Sequence, residues 1–211
     1  PYFTTGGTYL MYRIGKEEID AVARAINSHD FFKVNGAGRE VYHFEEEWKA
    51  HTKTAYTILM TSGYGALTAA LTAMGIGPGD EVIVPGYTYI ATALAVLEAG
   101  AIPVICECDA AMTIDVADAE RKISQHTKAI IPVHIQGFPC DMDGVMALAK
   151  KHNLYVLEDA CQADGGSYHG RALGTIGHAG AYSFNYFKVI TAGEGGALST
   201  NDRTIYERAL I

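Results

Sequence analysis

A lysine in the last quarter of the chain has the sequence surroundings of a reactive amine. Lys188 follows Tyr186 and Phe187 and precedes Val189. A lysine held away from water is destabilised as a cation, and its neutral amine can act as a nucleophile or form a Schiff base. A solvated surface lysine is the alternative, so this residue alone does not decide the chemistry.

Two acids directly follow a short apolar run. Glu158 and Asp159 come after residues 154–157, which have the composition of a buried strand. Open α/β sheets bind their ligands at the carboxyl ends of strands, so a carboxylate at this position is a candidate ligand group. The alternative is that both acids only cap the turn that follows.

A small glycine-containing turn opens a predicted helix. Gly63, Tyr64 and Gly65 come directly before apolar residues at helical spacing in 66–71. Such a turn leaves backbone N–H groups at the positive end of the helix, where anions bind. The turn lacks both G-x-G-x-x-G and the Lys-Ser/Thr pair of nucleotide-binding loops. Phosphate binding and an ordinary tight helix start therefore both remain open.

Together these features are the parts needed to hold pyridoxal 5'-phosphate. The cofactor requires an anchor for its phosphate, an aromatic group stacked on its ring, a carboxylate beside its pyridine nitrogen and a lysine for its aldehyde. The turn at residues 63–65, Tyr89 after a predicted strand, Asp159 and Lys188 supply one candidate for each requirement.

The composition is that of an ordered protein with excess negative charge. The 211 residues include 16 basic and 24 acidic side chains, giving a formal net charge of −8, and 49% are hydrophobic. Such a chain lacks the excess of Lys and Arg that neutralises a nucleic-acid phosphate backbone, so we predict no nucleic-acid partner. No apolar run reaches the roughly 18 residues of a membrane span, and the N-terminus lacks a basic and apolar leader. We expect a soluble, cytoplasmic protein with one domain.

The cysteines and histidines do not form a metal-binding pattern. Cys106 and Cys108 are two residues apart, which is not C-x-x-C, and the four cysteines are expected to be buried thiols. The eight histidines include no H-E-x-x-H or similar cluster. We therefore predict no metal site.

The middle of the chain alternates short apolar runs with helical patterns. Predicted strands cover residues 81–85, 102–106, 129–134 and 154–157, and predicted helices cover 90–99, 116–123 and 144–152. Strands separated by helices of this length pair in parallel through right-handed crossovers, with helices on both faces. The pattern predicts an α/β fold with a mostly parallel central sheet.

The two ends of the chain differ from this pattern. Two helices are predicted before it, at residues 15–27 and around 41–48, joined by an aromatic and glycine-rich loop at 31–38. After Asp159, the apolar segments 181–184 and 196–200 are joined too closely for a helical crossover, which predicts antiparallel pairing. A last helix begins at Asn201-Asp202 and stops with its apolar face just begun, which favours a fragment of a longer protein.

Over most of its length the sequence resembles the DegT/StrS-type sugar aminotransferases, pyridoxal-phosphate enzymes of the aspartate aminotransferase fold. The resemblance runs from about Ile14 to the end and rests on ordered blocks: GDEVIVPGYTYIATALAVLEAGAIPV, IIPVHIQGFPCDMD, VLEDACQADGGSYHGRALGTIGHAGAYSF and K-x-x-T-A-G-E-G-G. It implies that residues 1–211 are the large cofactor-binding domain of a fold-type I enzyme, apparently truncated, with the small C-terminal domain absent.

The resemblance also implies roles for the candidate residues around the cofactor ring. Lys188 would hold the cofactor as the internal aldimine and then move the proton during catalysis. Asp159 would pair with the pyridinium nitrogen, and Gln162 would lie beside the phenolic oxygen. Tyr89 would stack on the ring face, and Glu194 would shape the turn beside the lysine.

At the phosphate, the resemblance implies contacts from the Ser183 hydroxyl and from the backbone of the Gly63-Tyr64-Gly65 turn. The family usually has Ser-Gly-Thr-Ala here, where this chain has Ser62-Gly63-Tyr64-Gly65. The departure places a hydroxyl contact from residue 64 in doubt and leaves the backbone contacts in place.

The implied activity is transfer of an amino group from glutamate or glutamine to a keto sugar or keto-cyclitol. The implied assembly is a homodimer, in which the neighbouring subunit supplies an asparagine to the phosphate.

Three alternatives to this activity remain. One is a pyridoxal-dependent sugar dehydratase, in which a histidine replaces the lysine. Another is a non-catalytic fragment that keeps the fold. The third is a Rossmann-type oxidoreductase, suggested by the α/β rhythm but lacking the glycine fingerprint.

Overall fold

A computed structural model of the chain describes residues 3–5, 8–10, 14–29, 31 and 40–211. Among these, the strands are β1 (Phe3–Thr5), β2 (Thr8–Leu10), β3 (Tyr56–Met60), β4 (Glu81–Pro85), β5 (Ile102–Cys106), β6 (Thr127–Ile130), β7 (Tyr155–Asp159), β8 (Ser167–Tyr168), β9 (Arg171–Ala172), β10 (Ala179–Ser183) and β11 (Gly196–Thr200). The helices are α1 (Lys16–Asn27), α2 (Glu40–Thr52), α3 (Gly63–Ala73), α4 (Ala91–Glu98), α5 (Val116–Arg121), α6 (Met142–His152) and α7 (Arg203–Ala209), with a 3₁₀ turn at Ile135–Gly137.

The chain divides into two units, residues 1–46 and 47–211, and the division falls within α2. In the first unit, β1 and β2 pair antiparallel. Helix α1 begins after Gly15, whose N–H donates to the Glu18 carboxylate at 2.7 Å and so caps the helix start. The helix predicted at residues 15–27 is present as α1, and none of its residues is buried. The predicted loop at 31–38 lies outside the described residues, apart from residue 31.

In the second unit, seven of the described strands form the central sheet in the order β3-β11-β10-β7-β6-β4-β5. The five strands from β10 to β5 are parallel, and β11 runs antiparallel to both of its neighbours. The predicted α/β class and the antiparallel pairing near the C-terminal end are both confirmed. Sequence reasoning missed β3, which pairs with β11 at the edge of the sheet.

The predicted strand at 129–134 is shorter than expected. The regular ladder of β6 ends at Ile130, although the Ile131 N–H still donates to the Ile83 carbonyl at 2.9 Å. Pro132 has no N–H with which to continue the ladder, and beyond it only an isolated bridge joins Val133 to Asp159.

Alternate residues of the buried strands fill two separate cores. Val82 and Leu157 point to the face covered by α3, α4 and α7. Ile83 and Val156 point to the opposite face, which packs against α5 and α6. Each inner strand is therefore apolar on both sides, as expected for a parallel sheet between two helical layers.

The expectation of buried thiols holds for Cys106 and Cys140 only. Burial raises the pKa of each of these two thiols to about 12. Cys108 lies beyond the end of β5 and Cys161 lines a cavity, so both are only partly buried. Among the described residues, no helix combines the length and apolar character needed to cross a membrane.

Candidate active site

A cavity of about 470 Å³ opens at the carboxyl edge of the central sheet, where β7 and β10 end and α3 begins. Seven of the eight residues predicted to contact the cofactor line it: Gly63, Tyr64, Tyr89, Asp159, Gln162, Ser183 and Lys188. Gly65 does not line it. Parallel strands end at a common edge, which brings together residues that lie far apart in the sequence.

The start of α3 presents two backbone amides to this cavity. Ser62 caps the helix, because its Oγ accepts a hydrogen bond from the Gly65 N–H at 3.0 Å. The Gly65 amide is therefore already paired with the helix cap, and its predicted contact with a phosphate stays a prediction. The amides of Gly63 and Tyr64 belong to the first turn and have no partner among the described residues.

Glycine at position 196 allows α3 to begin so close to the sheet. A Cβ on Gly196 would collide with the backbone of Ser62 and Gly63. Gly196 opens β11, which runs antiparallel to its neighbours and so begins at the edge where they end. The G-E-G-G segment of the sequence thus supports the α3 turn by leaving room for it.

The Tyr64 side chain is turned toward α4. Its ring packs against the core beneath α3, and interaction of its hydroxyl with the Glu98 carboxylate raises the pKa of Tyr64. The expectation that residue 64 meets a phosphate through its backbone rather than its hydroxyl stays a prediction.

Asp159 lies at the end of β7 with its carboxylate held on both oxygens. Oδ1 accepts a hydrogen bond from the Cys161 N–H at 3.1 Å, and Oδ2 accepts one from the Thr92 hydroxyl at 2.7 Å. Asp159 is only 5% exposed. Thr92 was missed by sequence analysis, because its contact spans 67 residues.

Glu158 points away from the cavity, on the other face of β7. It is fully buried, and its carboxylate accepts hydrogen bonds from the backbone N–H groups of Gly174, Ile176 and Gly177. His134 Nδ1 accepts from the Cys140 N–H, so the proton of the neutral ring lies on Nε2, 3.0 Å from Glu158. The two adjacent acids therefore have separate functions, set by strand alternation.

Gln162 is oriented by the turn that follows His134. Its Oε1 accepts a hydrogen bond from the Gln136 N–H at 2.9 Å. Gln136 has a φ of +52°, a left-handed conformation that is unusual for a residue other than glycine. Since Oε1 is occupied, the two Nε2 hydrogens remain for a ligand in the cavity.

Lys188 lies on the loop between β10 and β11. The loop is closed by the hydrogen bond from Asn185 Nδ2 to Glu194 Oε1, at 2.8 Å, as expected if Glu194 shapes this turn. Its sequence neighbours Phe187 and Val189 are 69% and 67% exposed. Lys188 itself is half-buried and lines the cavity, and its role as a reactive amine stays a prediction.

Asp164 is a further acid near the lysine that sequence analysis did not single out. It is 8% exposed, and neither carboxyl oxygen has a hydrogen-bond partner among the described residues. Burial raises the pKa of Asp164 to about 7, and the positive charge of Lys188 opposes this increase. Elsewhere in the described part of the chain, no cluster of three His, Cys, Asp or Glu residues could hold a metal ion.

Comparison with known proteins gives consistent matches over most of the chain. The profile of the DegT/DnrJ/EryC1/StrS aminotransferase family matches residues 12–211. GDP-perosamine synthase from Caulobacter vibrioides is 45% identical over 170 residues, which are 80% of this chain and 46% of that protein. The dTDP-3-amino-3,4,6-trideoxy-alpha-D-glucose transaminase of Streptomyces venezuelae is 42% identical over 190 residues, covering 89% of this chain and 49% of that protein.

The fold is matched by solved structures as well. The X-ray structure of the aminotransferase from Psychrobacter cryohalolentis superposes with a TM-score of 0.91 at 41% identity, covering 100% of this chain and 52% of that one. The chain spans about half the length of the curated relatives that it matches.

Proposed function

The chain belongs to the DegT/DnrJ/EryC1/StrS aminotransferase family, and we propose from this that residues 1–211 form the cofactor-binding large domain of a sugar aminotransferase. The observation that carries the proposal is that Lys188, Asp159 and the first amides of α3 line one cavity. These are groups that a pyridoxal phosphate site needs at the aldehyde, the ring nitrogen and the phosphate of the cofactor.

The residues present fit pyridoxal 5'-phosphate. The cavity volume lies within the usual range for small-molecule sites, about 300–1,000 Å³. The Gly63 and Tyr64 amides, with the Ser183 hydroxyl, would bind the phosphate. Tyr89, whose side chain is 66% exposed, would cover one face of the ring. When bound, the cofactor supplies an electron sink that makes the proton on the amine-bearing carbon removable.

The chain's own residues then orient the ring and move the proton. Asp159 is held by Thr92 and by the Cys161 amide, so its carboxylate can hold a proton on the ring nitrogen. Gln162, fixed through Oε1, would donate from Nε2 to the phenolic oxygen. Lys188 Nζ would hold the aldehyde carbon and, once released from it, carry the proton to and from the substrate carbon.

The amino acceptor in this proposal is a keto sugar or a keto-cyclitol, with glutamate or glutamine as donor. The two relatives above are named for GDP-perosamine and for dTDP-3-amino-3,4,6-trideoxy-alpha-D-glucose. These names support a keto sugar as the amino acceptor. We further propose a homodimer as the active assembly.

The test is covalent capture of the cofactor. The purified protein is mixed with pyridoxal phosphate, its visible absorbance is recorded, and the mixture is reduced with borohydride before peptide mapping. We expect one reduced adduct, on Lys188, and none in K188A. K151A is the matched control, because Lys151 pairs with Glu120 on the surface. An adduct spread over several lysines, or one that persists in K188A, would contradict the proposal.

Amino transfer is tested separately, by adding glutamate or glutamine to the loaded protein. We expect the visible band of the lysine-bound cofactor to disappear as the amino group is taken up. A protein that forms the Lys188 adduct but does not respond to either donor would be a cofactor-binding chain without the proposed activity. That outcome would favour the non-catalytic alternative for residues 1–211.

A further inference from the structure

We propose that Thr92, supported by Thr88, is a positioning residue that fixes the Asp159 carboxylate against the segment carrying Tyr89. This inference rests on the proposed function, because it concerns the same cavity. Thr92 lies outside the cavity lining and would act only through Asp159.

The contact between Thr92 and Asp159 is direct and enclosed. The Thr92 hydroxyl donates to Asp159 Oδ2 at 2.7 Å, and the Thr92 side chain has no exposed surface. Water therefore has no access from which to replace this hydroxyl. Hydrogen bonds that end on a charged group are the stronger ones in proteins, so their loss at a buried site has a large effect.

The direction of the hydrogen bond between Thr88 and Thr92 follows from the number of hydroxyl hydrogens that are available. Thr92 has one hydroxyl hydrogen, and the carboxylate takes it. The Thr88 hydroxyl, 2.7 Å from that of Thr92, must therefore donate to Thr92. Thr88 is also 3.4 Å from the Tyr89 carbonyl, a longer and weaker contact. The result is a directed chain from Thr88 through Thr92 to Asp159.

The same residues fix Tyr89. The Thr92 N–H donates to the Tyr89 carbonyl at 3.1 Å, within the turn that starts α4. Thr92 thus binds Tyr89 through its backbone and Asp159 through its side chain. Thr92 therefore fixes the position of Tyr89, proposed to cover the ring face, relative to Asp159, proposed to meet the ring nitrogen.

The experiment compares ligands that report different parts of the site. Pyridoxine 5'-phosphate has the ring and phosphate but no aldehyde, so its affinity does not depend on covalent capture by Lys188. Inorganic phosphate reports only the proposed phosphate-binding groups, which are the α3 amides and the Ser183 hydroxyl. Dissociation constants for both are measured in the wild type, T92V, T92S and T88V. T57V is the matched control, since Thr57 is a buried threonine that pairs with Ser199 away from the cavity.

We expect T92V to weaken pyridoxine phosphate binding roughly tenfold or more, the scale of a lost hydrogen bond to a charged group. Inorganic phosphate affinity should stay within about twofold of the wild type, because the α3 amides are not touched. T92S retains the hydroxyl and should restore binding, and T88V should give a smaller loss. T57V should change neither affinity, whatever it does to thermal stability.

A double variant tests whether the effect passes through the carboxylate. In a D159N background, T92V should add less than about twofold, because the acceptor has lost its charge. Equal losses for both ligands in T92V would indicate general disruption and overturn the inference, as would T92V binding like the wild type. If wild-type pyridoxal phosphate is not captured on Lys188, the proposed function fails instead, and this inference fails with it.

Discussion

The Sγ atom of Cys161 lies where the side chain of any larger residue at position 63 would begin. A Cβ built on Gly63 would be 2.6 Å from this sulfur and 2.8 Å from the Ser183 Cβ. The first turn of α3 therefore rests directly on the ends of β7 and β10. This contact is what holds the Gly63 amide at the cavity.

Gly63→Ala should therefore damage both stability and binding. The added methyl group has no space, and overpacking of this kind costs about 1–3 kcal/mol. Relief of the clash would move the Gly63 amide, so we expect weaker binding of inorganic phosphate. Chemical unfolding and a phosphate titration would measure the two effects.

Gly65→Ala is the matched control for this substitution. A Cβ on Gly65 would make ordinary contacts, the nearest 3.5 Å from the hydroxyl oxygens of Ser62 and Thr61. Because alanine favours a helix over glycine, we expect G65A to be more stable by about 0.5–1 kcal/mol. Similar destabilisation by both substitutions would contradict the steric explanation.

The Tyr64 hydroxyl should be dispensable for binding phosphate groups. The Tyr64 ring packs against the core beneath α3 and its hydroxyl interacts with Glu98, so we expect residue 64 to bind a ligand through its backbone amide. We expect Y64F to bind pyridoxal phosphate within about twofold of the wild type. S183A should weaken binding by about 0.5–1.5 kcal/mol, the usual contribution of one hydrogen bond. A loss in Y64F as large as that in S183A would show that the tyrosine hydroxyl does contact the ligand.

The site residues that sequence reasoning found are those at strand ends and helix starts. Asp159 and the Gly63-Tyr64 turn are marked by local patterns, and the common edge of the parallel strands is what placed Asp159. The turn follows β3, which joins the sheet through the antiparallel strand β11, so its approach to Asp159 depends on a pairing that the sequence did not reveal. Thr92 and Asp164 carry no such local signal. Their importance comes from burial and from contacts between distant segments, which no window of sequence contains.

Two details of the site depend on contacts that the sequence pattern does not contain. Lys188 has apolar neighbours in the sequence, but Phe187 and Val189 are exposed, and the Phe187 ring packs edge-on against Tyr186. Gly65 was expected to offer its amide, but the Ser62 side chain uses it as a helix cap. A serine directly before the turn was the available sign of that cap.

The buried Asp164 carboxyl should make stability fall as the pH rises. Its pKa is about 7 in the folded chain and 3.8 when unperturbed, so the folded state retains the proton over a range in which the unfolded state has lost it. Stability is then lost between about pH 4 and pH 7, at up to about 1.4 kcal/mol per pH unit. Removing the ionisable group by Asp164→Asn removes this slope.

Urea unfolding at two pH values would measure this effect. From about pH 5 to about pH 7, the stability of D164N relative to the wild type should rise by about 2 kcal/mol. D143N is the control, because Asp143 is exposed and pairs with His169 on the surface. If the wild type and D164N lose stability in parallel, Asp164 is not the titrating group.

Glu158→Gln should be among the most damaging conservative changes in this chain. The wild-type carboxylate accepts three backbone N–H bonds and one from His134. A glutamine would direct its own two hydrogens at some of these donors and leave buried N–H groups unpaired. Each such group costs about 1–3 kcal/mol, so we expect a total loss of about 3 kcal/mol or more in the free energy of unfolding.

E120Q provides the comparison, because it also replaces a paired glutamate by its amide. Glu120 lies on the surface, where it accepts from Lys151 at 2.6 Å, and exposed pairs of this kind contribute little to stability. Urea unfolding should therefore distinguish the two variants clearly. If E158Q unfolds at the same denaturant concentration as E120Q, the buried network does not stabilise the segment from Gly174 to Gly177 in the way that its hydrogen bonds indicate.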